Sequence, residues 1–275
     1  MSAVGIAVAP VGGGRPVEGP LVKLKWVFSD TAALTMRNLL NYLRIPEALF
    51  FSSVQPVMFV LLFRYVFGGA IHTGGYSYVD YLIPGIFVQT VAFGAVATSI
   101  GLAEDLHKGI IERFRALPMA RSAVLAGRTV ADLIRNLVVA AIITGIGYAV
   151  GFRVQTNALA FLAGIALIVL FAYALSWGFA FVGLSAPNSE TAQVMAFPIL
   201  FPLTFASSAF VQVQTMPGWL RGFAGHQPVT LVVDAARGLM VGGPTATYVW
   251  QSLVWTAGII LVLAPLAVRR YRRAT

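Results

Sequence analysis

The chain contains no cysteine, which excludes disulfide bridges and thiolate metal sites. Charge is scarce too: Asp, Glu, Lys and Arg make up 11% of the 275 residues, against about 25% in soluble domains. The three histidines, His72, His107 and His226, are scattered without ligand spacing and read as surface or interfacial groups. The glycine run Gly12-Gly13-Gly14 continues into Arg15-Pro16 rather than Gly-Lys-Ser/Thr, and no such phosphate loop follows later. The chain therefore cannot be its own ATPase by that route. The ten acidic residues fall in loops or at the ends of apolar runs, Asp80, Asp132 and Glu190 among them, and no Ser-His-Asp set assembles on one face. Covalent catalysis has no support, and the protein is not expected to be an enzyme. Ion-coupled carriers keep an ionisable group near the bilayer centre. With none read there, the energy source is expected to lie outside the chain.

What is abundant is apolar surface. Apolar residues reach 58% and mean hydropathy is +0.82, the composition of a polytopic membrane protein. Residues 1–20, rich in Gly, Pro, Ala and Val without a signal-type apolar core, are expected to be a disordered cytoplasmic tail. Over 21–45 the pattern is amphipathic: Ala33, Met36, Leu40 and Leu43 recur at helical spacing beside Arg37, Asn41 and Arg44, with Asp30 a possible cap. This predicts a helix lying in the membrane interface. Residues 46–275 are expected to form one all-α membrane domain of six transmembrane helices, near 48–67, 81–102, 133–151, 158–184, 191–211 and 251–268. Pro198 and Pro202 fall inside the fifth. Between the fifth and sixth, 212–250 alternates short apolar stretches with Pro and Gly and is too broken to cross.

The net charge of +9 reports topology rather than nucleic-acid binding, because of where it falls. With the N-terminus inside, fifteen of the 19 basic residues lie on the inner side, leaving Arg64, Arg153, Arg221 and Arg237 outside. Both termini are expected to be cytoplasmic. The same topology puts inside a charged island, 104–128, that holds Glu104, Asp105, Lys108, Gly109, Glu112, Arg113, Arg115, Pro118, Arg121 and Arg128. Gly109 can break a helix and Pro118 can end one, so the island reads as helix, break, short exposed helix and turn. Within the spans, Gln55 and Gln89 are the polar residues best suited to line a pathway, since an amide facing lipid is costly. Phe93, Phe201 and Phe205, with Phe87 and Phe197, offer an aromatic surface to a flat amphipathic guest.

The island run Asp105, Lys108, Gly109, Arg113, Phe114, Arg115, Leu117, Pro118 resembles the cytoplasmic segment of ATP-binding-cassette type-2 exporter permeases, in particular the daunorubicin-resistance type. MPGWL at 216–220, HQPVT at 226–230 and RGLM at 237–240 follow in the order seen in that family, so the likeness runs from about residue 46 to the end. Where the wider family carries Glu-Gly-Thr, this chain has Lys108-Gly109-Ile110.

The resemblance implies a permease subunit of a bacterial cell (inner or plasma) membrane, exporting hydrophobic drugs or lipid-like natural products by alternating access. It also implies a second permease copy or a similar permease, and two copies of a separate ATPase chain that binds the ATP and Mg. No cofactor is expected in this chain. The island residues Glu104 to Arg121, with Glu190 on the next inner turn, would couple to the ATPase, Glu112 and Arg115 entering a groove and Leu117-Pro118 holding the angle. Short re-entrant external helices would carry a gate formed by Pro217, Trp219, His226, Pro228 and Arg237. A polysaccharide or lipid-linked glycan exporter and a non-transporting membrane scaffold are the alternatives.

Overall fold

The computed structural model describes residues 20–44, 46–71, 75, 77–109 and 121–273, and among them every regular element is helical. The helices are α1 (Pro20–Arg44), α2 (Pro46–Leu62), α3 (Tyr78–His107), α4 (Arg121–Ala149), α5 (Ala158–Ser185), α6 (Ser189–Phe205), α7 (Gly218–His226), α8 (Pro228–Val241) and α9 (Ala246–Arg273). A π-helical turn, Phe63–Phe67, prolongs α2, and a 3₁₀ turn, Val213–Thr215, precedes α7. Uniformly apolar runs favour this outcome because a helix satisfies its own backbone hydrogen bonds without water.

The helix ends are set by local chemistry. Asn157 and Asn188 cap α5 and α6, each accepting through Oδ1 at 2.7 Å from the amide three residues on. Ser77 Oγ does the same for α3, and Gln227 Oε1 accepts from Val229 N to start α8. Gly109, at φ +64°, terminates α3 in the left-handed conformation that glycine tolerates, which is the break expected there.

Four helices are long and apolar enough to cross a membrane: α3, 126–149 of α4, α5 and α9. α2 and α6 are shorter, at 17 residues each. α3 is the central helix, with 67% of its apolar window buried, whereas α9 buries 17% and turns most of its apolar surface outward. The core groups Leu82, Ile83, Ile86 and Phe87 of α3 with Ile168 and Phe171 of α5 and Val232 and Val233 of α8.

Three expectations shift. α4 begins at Arg121 rather than at 133, so Asp132 and Arg135 stand inside the helix. Asp132 is 1% exposed, not at the end of an apolar run: hydrogen bonding to Thr98 and pairing with Arg135 let the helix continue past a charge. α6 stops at Phe205, short of 211. Its last turn contains Pro202, the amide of Ala206 closes on Pro202 O, and the chain then runs irregularly through 206–212.

In α1 the face packed on α4 carries Asp30, Leu34 and Thr35 rather than the anticipated Met36 and Leu40, which are 55% and 37% exposed. Asp30 is within the helix rather than at its cap. The reason is steric. Gly127 of α4 lets α1 approach so closely that a Cβ there would fall 2.7 Å from Leu34 Cβ, and only the small-residue side of α1 fits.

Candidate functional site

At the end of the bundle that carries the island, Glu104 and Asp105 belong to the last turn of α3 rather than to a loop. Their roles diverge. Glu104 faces out and accepts from Lys108 Nζ at 2.5 Å, an exposed i,i+4 pair whose hydrogen bond holds the ammonium above its usual value. Asp105 turns inward, binding Arg128 Nη1 of α4 at 3.0 Å and Arg37 Nη2 of α1 at 3.6 Å. One carboxylate thus ties three helices together. Arg121 is the first residue of α4, and Glu190 sits exposed in the first turn of α6. Glu112, Arg113, Phe114, Arg115, Leu117 and Pro118 lie outside the described residues.

Midway along the bundle a cleft of about 250 Å³ opens between α2, α3, α4 and α6. Gln55, Gln89 and Phe93 line it, three of the residues expected to share a pathway, together with Phe59, Arg135, Asn136, Gln193 and Phe197. Gln89 is 3% exposed, while Gln55 stands at the surface. Phe201 and Phe205 are outside the lining but continue from it as an aromatic ladder. Phe93 meets Phe201 edge-on at 5.9 Å, Phe201 stacks on Phe205 at 5.2 Å, Phe205 on Phe210 at 5.6 Å and Phe210 on Phe63 at 4.5 Å. The ladder stays partly open to the outside, Phe201 at 46% and Phe205 at 40% exposure.

One wall of the cleft rests on a buried polar group that linear reading missed. Thr98 Oγ1 of α3 donates to Asp132 Oδ2 at 2.5 Å, and Arg135 donates through Nη2 to Gly94 O at 2.8 Å while its Nη1 stands 3.8 Å from Asp132 Oδ1. The signal available was the i,i+3 spacing of Asp132 and Arg135, with Thr98 among the polar residues of the preceding span.

The anticipated gate residues do not converge on one site. Pro217 and Trp219 are exposed at the start of α7, and His226 at its end accepts or donates through Nδ1 to Gly222 O at 3.0 Å. Pro228 occupies the first turn of α8, where its missing N–H costs nothing. Arg237, expected as an outer loop charge, is instead 7% exposed. Its guanidinium lies 3.6 Å over the Tyr81 ring, pairs with Asp234 Oδ1 at 2.6 Å, and donates to Tyr81 O at 3.1 Å and Ser208 O at 2.8 Å. Ser208 Oγ donates in turn to Asp234 at 2.7 Å. This clamp pins the irregular 206–212 segment against α3, where Gly85 is indispensable: a Cβ there would lie 2.2 Å from Ala209 O. The pair is satisfied on every side because irregular backbone at such depth leaves carbonyls that need donors.

Comparison with known proteins agrees with these features. The family model described as ABC-2 type transporter matches residues 29–241. The chain is 33% identical over 260 residues to a daunorubicin resistance ABC transporter permease protein of Streptomyces coeruleorubidus, covering 94% of this chain and 90% of that one. It is 30% identical over 257 residues to a probable doxorubicin resistance ABC transporter permease protein of Mycobacterium tuberculosis, covering 90% of each. An inner membrane transport permease of Escherichia coli is 24% identical over 193 residues, or 67% of this chain and 73% of the relative.

Proposed function

The chain belongs to the ABC-2 type transporter family, and from that premise we propose that it is the membrane permease of an ATP-driven exporter that moves hydrophobic drugs or lipid-like natural products out of the cell. The observation that carries this reading is the cleft with its ladder: an amide-lined pocket opening onto a continuous aromatic track along α2 and α6, the surface a flat amphipathic cargo needs. The same track favours such a cargo over a glycan, since the ladder is open at its side to an apolar surround. Gln55, Gln89, Phe93, Phe201 and Phe205 form the pathway.

In this reading the chain crosses the bilayer six times. α2 with its π-helical turn and α6 supplement the four long helices, and α7 and α8 form a re-entrant pair on the outer side. The excess of basic residues at the island end places that end, with both termini, in the cytoplasm. An ATPase chain binds there and consumes ATP with Mg, two copies serving a pair of permeases. The residues 104–121 and Glu190 receive its motion, and Asp105 passes the displacement of α3 to α1 and α4 through Arg37 and Arg128. α7 and α8, with Pro217, Trp219, His226, Pro228 and Arg237, cap the pathway outside.

The test is ATP-dependent accumulation of doxorubicin in inside-out vesicles holding the permease and its co-purifying ATPase. Accumulation is expected to require both chains and to fall several-fold when Glu112 and Arg115 are both changed to alanine. Uptake by the permease alone, or unaffected uptake and ATPase association in the double variant, contradicts the proposal.

A further inference from the structure

The side-chain amide of Gln89 is held where nothing answers it. The residue is 3% exposed and lines the cleft, yet its Nε2 makes no hydrogen bond with any described group. A buried amide donor without an acceptor is costly, and native proteins rarely keep one. The neighbouring polar groups are committed elsewhere. Thr90 Oγ1 donates to Ile86 O at 2.7 Å, and Arg135 is engaged with Gly94 O and Asp132. No carboxylate is among the lining residues, so a cation entering the cleft would meet Arg135 and no counter-charge on the wall. An acceptor oxygen, by contrast, would meet Gln89 directly, beside the rings of Phe93 and Phe197.

Resting on the exporter reading for the existence of a cargo, we propose that this cleft takes a flat, fused-ring guest against Phe93 and Phe197, and that Gln89 selects it by donating through Nε2 to a carbonyl or phenolic oxygen on its rim. Any ammonium group of the guest stays at the mouth, by Gln55. The volume suits this. About 250 Å³ is just under the roughly 300 Å³ at which drug-sized pockets begin, enough for a ring system and too little for a whole glycosylated cargo.

Gln89 is then a specificity determinant. It adds affinity for guests that bear an acceptor and nothing for those that lack one.

The experiment uses two probes of the same ring shape, anthraquinone and anthracene, bound to the full chain in lipid nanodiscs, with protein-free nanodiscs giving the partition background. The wild-type chain is expected to bind the quinone about tenfold more tightly, the scale of one buried hydrogen bond. In Gln89→Met, near-isosteric and without a donor, the two probes are expected to bind equally, with anthracene affinity unchanged. Gln89→Glu, which keeps the shape and offers an acceptor, is expected to lose the quinone in the same way. Equal binding of both probes by the wild type overturns the inference, as does discrimination that survives in either variant. Loss of anthracene binding in both variants makes Gln89 a packing residue and also overturns it. Vesicle transport is read separately: absent discrimination leaves the exporter reading intact, and discrimination without ATP-driven flux leaves the site intact and removes the exporter.

Discussion

At the scale of single residues, the buried charges decide more than the exposed ones. Glu104 and Lys108 form a short pair at the surface, where an ion pair stabilises by only about 0.3–0.5 kcal/mol. Arg237 works in a different setting. Its planar fork reaches two carbonyls and a carboxylate at once while lying on the Tyr81 ring, an arrangement a lysine cannot reproduce. Arg237→Lys should therefore destabilise the chain by roughly 3 kcal/mol, the cost of breaking a buried, hydrogen-bonded pair. Thermal unfolding in detergent measures this, and an unchanged midpoint would mean the 206–212 segment is held by packing alone. Nothing around Arg237 in the linear sequence announces the clamp, because Tyr81 and Ser208 are distant from it along the chain and meet it only when α3 and α8 pack.

At the scale of elements, the attachment of α1 is the informative case. Periodicity correctly foretells a helix with an apolar and a polar side, but it cannot say which side meets the protein. In a membrane the exposed apolar face of Met36 and Leu40 has lipid to rest on, so the bundle is free to take the small and polar face at Leu34 and Thr35. Thr35 Oγ1 reaches Gly127 O at 3.2 Å across that contact. Gly127→Leu should push the helices apart, at a cost of about 1–3 kcal/mol typical of overpacking. Hydrogen exchange is expected to show lost protection in α1, with α3 and α5 unaffected. A variant in which α1 keeps its protection would place the anchor in the Asp105 ion pairs instead.

At the scale of the whole molecule, the absence of cysteine is an experimental advantage, since a single introduced thiol reports its own location without background. Lys108 and His226 lie at opposite ends of the bundle, one just after α3 and the other at the end of α7. With a membrane-impermeant maleimide on intact cells, His226→Cys should label and Lys108→Cys should label only after lysis. The reverse pattern would invert the topology and leave the island out of reach of a cytoplasmic ATPase.

Much of the fold was legible in the sequence because hydrophobicity, helix caps and breaking glycines act over a few residues. The long apolar stretches, the stop at Gly109 and the short helices of 212–250 all appear where local chemistry puts them. The pathway residues were legible in part: Gln55, Gln89 and Phe93 share the cleft, while Phe201 and Phe205 lie along the track that leaves it.

By itself, then, the order of amino acids determined that this protein lives in a bilayer, is built of helices and carries a charged island flanked by spans. These are properties of water and lipid acting on each segment separately. Only the tertiary structure decided which polar groups find one another. Asp105 chooses Arg128 and Arg37, Asp132 chooses Thr98 and Arg135, and Arg237 chooses Tyr81 and Ser208, since a charge removed from water must be answered by whatever packing brings within about 3–4 Å. Helix crossings set that distance, and glycines such as Gly85 and Gly127 set the crossings.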